Sequence, residues 1–234
     1  MNVLAVGAHP DDIEFLCAGT LSKYSRLGHT VAMAVATNGE VGSSTLAKAE
    51  IAAIRRAEAE ASAAIIGAQL LWLDYPDEFL FNDAPTRLRF VDLVRQSRPD
   101  LILCHDPEND YHPDHVTSGR IVWDTHVMVT VLNIRTDHPP CEKIPEIAYM
   151  DTIGGVSFVP GRYVDISADI DAKRKMLDCH KSQCQWMIDM YGVTTVSMME
   201  NFSRMRGFQC GCAFAEGFRI PPIWPRRVDP EGLL

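Results

Sequence analysis

The chain has no CxxC pair, and its seven cysteines are an odd number. A disulfide framework is therefore not expected, and thiols kept reduced in a cytoplasm are the reading that follows. No stretch approaches the roughly 18 uninterrupted apolar residues that span a bilayer. The first charged residues are Asp11 and Asp12, and the run before them is too short for the apolar core of a secretory signal. Basic stripes are missing as well. With a net charge of −9, nucleic acid is not an expected partner. Asp11, Asp12, Asp110 and Asp114 would repel phosphate unless a bound cation changed the local sign. Internal repeats, low-complexity tracts and linkers are also lacking, so residues 1–234 read as a single domain. The composition, 47% hydrophobic and 23% charged, is that of an ordinary globular protein.

What is present is an alternation of short apolar strands and amphipathic helices. Residues 1–6 form a strand, Pro10 suits the first turn of a helix, and Ile13, Leu16, Leu21, Tyr24 and Leu27 continue it at helical spacing to Gly28. Residues 29–37 form a second strand. This strand–helix–strand unit predicts a parallel sheet. Further strands are expected at 70–73, 101–104, 146–152 and 162–166. Helices are expected from about 46 to 67, at 86–96, from 115 to about 132, from a cap at Asp169 through 191, and at 197–206. A Pro-rich excursion covers 136–145, and Pro221, Pro222 and Pro225 make the tail irregular. The expected class is α/β, a Rossmann-like three-layer α/β/α arrangement with a mainly parallel sheet.

Two of these strands end in dense polar clusters. The first gives Ala8-His9-Pro10-Asp11-Asp12-Ile13-Glu14, and the fourth leads to Asp110-Tyr111-His112-Pro113-Asp114-His115. In an open α/β sheet, ligands bind beyond the carboxyl ends of the strands, so both clusters can face one crevice. A catalytic zinc takes three protein ligands and leaves a position for water. His9, Asp12 and His115 supply two imidazoles and one carboxylate. Neighbours in a helical turn point about 100° apart, which leaves Asp11 free to face the substrate. It could take a proton from the water and pass it to a leaving amine. His112 could donate a hydrogen bond to the oxyanion or protonate the leaving group, and Asp114 could orient His112. Plainer readings exist: adjacent aspartates also suit a helix N-terminus, and two histidines with a carboxylate also suit a non-haem iron(II) oxygenase.

Taken together, these residues resemble the LmbE-like, or PIG-L-type, zinc de-N-acetylases. The paired motifs carry the resemblance. Thr37 to Gly42, Arg55 with Glu58, Tyr75-Pro76-Asp77, Arg98-Pro99-Asp100, Val164 to Ser167, Lys173, His180, Ser182-Gln183 and Ala215 to Phe218 extend it. It implies a Rossmann-like fold and removal of an N-acetyl group from a glucosamine-containing small molecule. It gives His9, Asp12 and His115 to Zn2+, Asp11 to the base, and His112 to the electrostatic or acid role. Arg55, Asn38 and Glu40 become substrate-binding candidates, and a homo-oligomer, trimer or hexamer, is implied. Asn38 stands where the branch acting on a malate glycoside tends to carry arginine, which weakens an anionic aglycone. For Arg55 the alternative is a surface salt bridge with Glu58; for His180, a subunit contact or a solvated helix histidine; for Glu14, a plain first-turn carboxylate. Trp72, Trp123, Trp186 and Trp224 read as core or interface, and Cys210-Gly211-Cys212 as a soft-metal or oxidation candidate. An amidase acting on a larger acyl group or a thiol conjugate, and a metal- or sugar-binding module without turnover, are the competing functions.

Overall fold

Apolar residues on both parities of the first strand point to burial on both faces. Val3 and Ala5 join one core cluster and Leu4 and Val6 the other. The computed structural model describes residues 1–222. Its strands are β1 (Asn2–Gly7), β2 (Thr30–Thr37), β3 (Gln69–Tyr75), β4 (Leu101–Cys104), β5 (Glu146–Met150), β6 (Arg162–Asp165) and β7 (Ala215–Arg219). They make one sheet in the order β3-β2-β1-β4-β5-β7-β6. The pairs from β3 to β5 are parallel, and β7 runs antiparallel to both its neighbours. The helices are α1 (Asp12–Leu16), α2 (Ala18–Arg26), α3 (Lys48–Ile65), α4 (Ala84–Ser97), α5 (Pro113–Thr125), α6 (Ile170–Asp178), α7 (Lys181–Tyr191) and α8 (Thr195–Cys210). Residues of α1, α2, α6 and α8 pack one face of the sheet, and those of α4 and α5 the other. This is the expected α/β/α layering. Among the described residues no helix is long and apolar enough to cross a membrane.

Three local expectations fail, each for a long-range reason. The single helix from Pro10 to Leu27 is broken at Cys17, whose φ of −143° leaves the helical region. The break creates a second helix start, where the Glu216 carboxylate accepts from the amides of Gly19 (2.8 Å) and Thr20 (2.7 Å). The helix expected from Asp169 to Tyr191 divides into α6 and α7 around Cys179 and His180, and the His180 ring turns inward to Glu14. The helix expected to run to Leu132 stops at Thr125, and a 3-10 turn follows at Met128–Thr130. There the buried Arg95 guanidinium donates to the carbonyls of Met128, Val129, Val131 and Ile134, which holds the chain in a curl. β7 was not expected as a strand: Ala215-Glu216-Gly217-Phe218 lacks alternation, and Glu216 is buried against Lys173. The readings for Trp224 and Pro225 lie outside the described residues.

Candidate active site

The order of the sheet reverses direction between β1 and β4, which pair directly. A crevice therefore opens beyond their carboxyl ends. β1 delivers His9, Asp11 and Asp12 to it, and the segment after β4 delivers His105, Asp110, His112 and His115. α5 can lie close to the end of β4 because position 119 is glycine: a Cβ there would stand 2.3 Å from the His105 carbonyl oxygen.

Asp11 is not in a helix. Its φ of 115° and ψ of −21° place a non-glycine residue in the left-handed half of the map, just before α1 begins. Such a conformation is strained by about 1–3 kcal/mol and persists only where its surroundings enforce it. Here the Asp11 carbonyl accepts from Phe15 N at 2.9 Å, and Arg55 Nη2 holds the preceding Pro10 carbonyl at 2.7 Å. The expected divergence of Asp11 from Asp12 is present, but a strained turn produces it rather than helix periodicity. The Asp11 carboxylate lies 3.5 Å from Arg55. Burial pushes it up to about 6, against the pull of the guanidinium.

His9, Asp12 and His115 converge. His9 Nδ1 is 3.2 Å from His115 Nε2 and 3.4 Å from Asp12 Oδ2, and His115 Nε2 is 3.2 Å from Asp12 Oδ1. Donors bound at roughly 2.0–2.1 Å in a tetrahedron stand about 3.3 Å apart, so each of these contacts has the spacing of a pair of zinc ligands, one Asp12 oxygen facing His9 and the other His115. The outer nitrogens of the two imidazoles are answered by carboxylates, as metal-binding imidazoles require, and the Asp12 oxygen that faces His9 is also met by His105. Asp110 Oδ2 meets His115 Nδ1 at 3.0 Å, Asp77 Oδ1 meets His9 Nε2 at 3.1 Å, and His105 Nε2 meets Asp12 Oδ2 at 3.1 Å. Donor atoms also group as His9–His112–His115, as Asp12–His105–His115 and as His9–Asp77–Asp114. Asp77 and Asp114, however, face the far nitrogen of His9, and His105 Nε2 is within 3.1 Å of the Ala8 amide behind Asp12. The residues thus fit a divalent ion on His9, Asp12 and His115.

The electrostatics of the cluster favour positive charge. Burial works against protonation of His9, but Asp114, Asp12 and Asp77 hold it well above its ordinary value. His115 is likewise raised to about 9, against burial, by Asp12 and Asp110. Asp12 is held well below its ordinary value by His115 and His105, against burial.

Several assignments change. The Asp114 carboxylate does not orient His112. It accepts from the amides of Glu78 (2.8 Å) and Leu80 (3.3 Å), clamping the loop after β3. It is the Asp114 backbone amide that donates to His112 Nδ1, at 3.3 Å. His112 Nε2 is therefore the nitrogen turned to the opening, 3.4 Å from Glu78. Arg55 makes no surface bridge to Glu58. It is buried, donates to Pro10 and Gly39, and would collide with any Cβ at position 39, where φ is +68°. Glu58 instead receives Ser182. His180 is no solvated histidine: fully buried, it lies 3.1 Å from Glu14, which also accepts from Ser62 at 2.6 Å. Asn38 and Glu40 border the crevice in a loop tied to it by Val41 N on Asp77. Glu40 is paired with Lys48 at 3.1 Å. His105 has the supporting place that its position at the end of the fourth strand suggests in the sequence, against a plain turn; the supporting roles of Asp77 and Asp110 were missed. Their one signal was position: each follows the end of a strand.

Comparisons with known proteins place this geometry among relatives. A family model described as PIG-L, GlcNAc-PI de-N-acetylase, matches residues 4–126. The chain is 28% identical to the diacetylchitobiose deacetylase of Thermococcus kodakarensis, over 94% of its own length and 83% of that protein. It is 24% identical to the 4-oxalmesaconate hydratase of Pseudomonas putida, over 97% of its length and 91% of that protein. Its structure resembles that of N,N'-diacetylchitobiose deacetylase from Pyrococcus horikoshii, with a TM-score of 0.82 and 28% identity, covering 94% of this chain and 83% of that one.

Proposed function

As the chain belongs to the PIG-L family of de-N-acetylases, we propose that it hydrolyses the N-acetyl group of a GlcNAc-containing small molecule, with zinc as its cofactor. Residues 1–234 act in this reading as one deacetylase domain, cytoplasmic and assembled as a homo-oligomer. One observation carries it: a carboxylate, Asp11, is held in a strained turn beside three converging donor side chains without being one of them.

A zinc ion on His9, Asp12 and His115 would polarise the amide carbonyl and acidify a water. The remaining work falls to the chain. Asp11 takes the proton from the attacking water, and its raised affinity for that proton suits it to hand the proton to the leaving amine. Arg55 keeps Asp11 ionised between turnovers and fixes its turn through the Pro10 carbonyl. Because His112 Nδ1 accepts the Asp114 amide, the neutral ring carries its proton on Nε2. That choice favours hydrogen-bond donation to the developing oxyanion over protonation of the amine. Asn38 and Glu40 border the sugar.

The similarity to a hydratase raises a second reading, water addition to an unsaturated polycarboxylate. The charges disfavour it. Asp11, Asp77 and Glu78 edge the crevice, while the Arg55 guanidinium beside Asp11 is also engaged by the backbone carbonyls of Pro10 and Gly39. A neutral amide meets no such repulsion. The test is acetate release from N-acetylglucosamine glycosides by the zinc-loaded protein and by Asp11→Asn. Loss of the base should lower turnover by about 10²–10⁴-fold with zinc content unchanged. Undiminished turnover would remove Asp11 from the mechanism.

A further inference from the structure

Cys210-Gly211-Cys212, where α8 gives way to β7, shares no hydrogen bond with the crevice. Its two sulfurs stand 3.6 Å apart. The backbone brings them together. Gly211 has a φ of 82° and a ψ of 27°, a left-handed conformation that glycine adopts without strain. The amides of Gly211 (2.8 Å) and Cys212 (3.0 Å) both donate to the Gly207 carbonyl. A Cβ at position 207 would stand 2.6 Å from the Cys212 carbonyl oxygen, so the chain doubles back this closely only over a glycine. The far side of the turn is pinned as well: Phe214 N donates to Ser167 Oγ at 3.2 Å, and the Arg204 guanidinium covers the Phe214 ring at 4.3 Å. The pinned turn thus keeps both thiols side by side. Cys210 is exposed and Cys212 half-buried. Cys17 and Cys104, by contrast, are buried among apolar core residues, where a thiol serves as a small apolar side chain.

Two products could use such a pair, a soft-metal complex or a disulfide. Protein metal sites with thiolate ligands take three or four donors. Among the described residues no third His, Cys, Asp or Glu donor joins these two sulfurs in a group that could hold an ion. A disulfide needs no third group. We propose that Cys210 and Cys212 form a redox modification site, which a small disulfide of the glutathione class converts to an intramolecular disulfide. The accessible Cys210 thiolate attacks the small disulfide, whose S–S bond breaks; a mixed disulfide forms and one small thiolate leaves. The Cys212 thiolate then attacks the Cys210 sulfur, closes the S–S bond within the chain and expels the second small thiolate. The two protons given up by the cysteines pass through water to the two leaving thiolates. The cysteine pair is oxidised by two electrons, and the small disulfide is reduced to two thiols. Burial, with Cys210 and Asp165 beside it, pushes the Cys212 thiol up to about 11, which leaves the first attack to Cys210. Closure brings the sulfurs from 3.6 Å to about 2.05 Å. The preset turn makes that second step intramolecular and favours it over a further encounter in solution. Exposure of Cys210 leaves the product open to small thiols, so the modification is reversible. This inference stands apart from the deacetylase reading.

The experiment incubates the folded full chain, first reduced, with an excess of oxidised glutathione. The reaction is quenched with an alkylating agent and read by intact mass and peptide mapping. The expected product is a chain lighter by two hydrogens, with the new bond mapped to Cys210 and Cys212 and the remaining cysteines alkylated. Reduced glutathione should return both thiols. Cys212→Ser should stop at the first step and accumulate a glutathione adduct on Cys210, whereas Cys210→Ser should lose the reaction. The reduced wild-type protein should also capture phenylarsine oxide, which bridges paired thiols, and each serine variant should lose that capture. Thiols at 210 and 212 that stay free in the folded chain overturn the inference. So does a glutathione adduct on Cys210 that persists in the wild-type protein, a bond from either cysteine to a second chain, or oxidation confined to other cysteines.

Discussion

Two clusters of buried charge flank the first helices, and they are built on opposite principles. At the start of α2, Glu216 accepts from the Gly19 and Thr20 amides and from Lys173 Nζ at 2.5 Å, and both side chains of the pair are almost wholly buried. Its charge is balanced and its oxygens are occupied. At the end of β1, two imidazole nitrogens face each other at 3.2 Å, and Asp11, Asp12, Asp77, Asp110 and Asp114 outnumber the cations among them. The first cluster is complete within the chain and belongs to the fold. The second gathers donor atoms that could hold a cation, and that difference separates structural from functional polarity here better than burial does.

Removing one partner of the closed cluster should do the most damage. Lys173→Met leaves the Glu216 charge buried and uncompensated and should cost about 3–5 kcal/mol of stability. Pairing it with Glu216→Gln should recover part of the loss. Denaturant midpoints decide it, and a negligible loss in the single variant would show that Glu216 is satisfied by the amides alone. The open cluster should respond in the opposite way to its missing partner. Zinc at 100 times its Kd should add about 2.7 kcal/mol to the wild-type protein and nothing to His115→Ala. Equal stabilisation of the two would move the ion elsewhere.

Gly119→Ala should affect both fold and site. The added methyl meets the His105 carbonyl, and overpacking of this kind costs about 1–3 kcal/mol. Because α5 carries His115, zinc affinity should fall with stability; a variant that loses only stability would uncouple the two. The smallest effect expected is a titration. Burial holds the His126 imidazole below its ordinary value, against the pull of the Pro145 carbonyl at 2.8 Å. The unfolded chain therefore binds the proton more readily than the folded one. Stability from this site is full above the unfolded value near about 6.5 and declines as pH falls below it. His126→Gln should flatten that part of the stability profile. An unchanged slope would assign the acid sensitivity to other groups.

Much of the site was legible because its chemistry sits next to recognisable strands. The apolar runs ending at Gly7 and Cys104 placed His9, Asp12 and His115 at two strand ends, and the sheet pairs those strands. What was not legible depends on partners distant in sequence. Nothing near Cys17 announces that Glu216 will start a new helix there, and nothing near Cys179 announces that His180 must turn in toward Glu14. The strain at Asp11 also has no local signature, since Arg55 and the α1 amides enforce it. For Asp114, sequence proximity to His112 does not reveal the partner of its side chain. The side chain instead reaches the amides of Glu78 and Leu80.

The most direct measurement offers the zinc-loaded protein an N-acetylglucosamine glycoside and, separately, an unsaturated tricarboxylate, and follows acetate, free amine and loss of the double bond together. The expected result is acetate and amine in equal amounts from the glycoside, abolished in His115→Ala, with the tricarboxylate untouched. Hydration of the tricarboxylate without acetate release from any amide would contradict it.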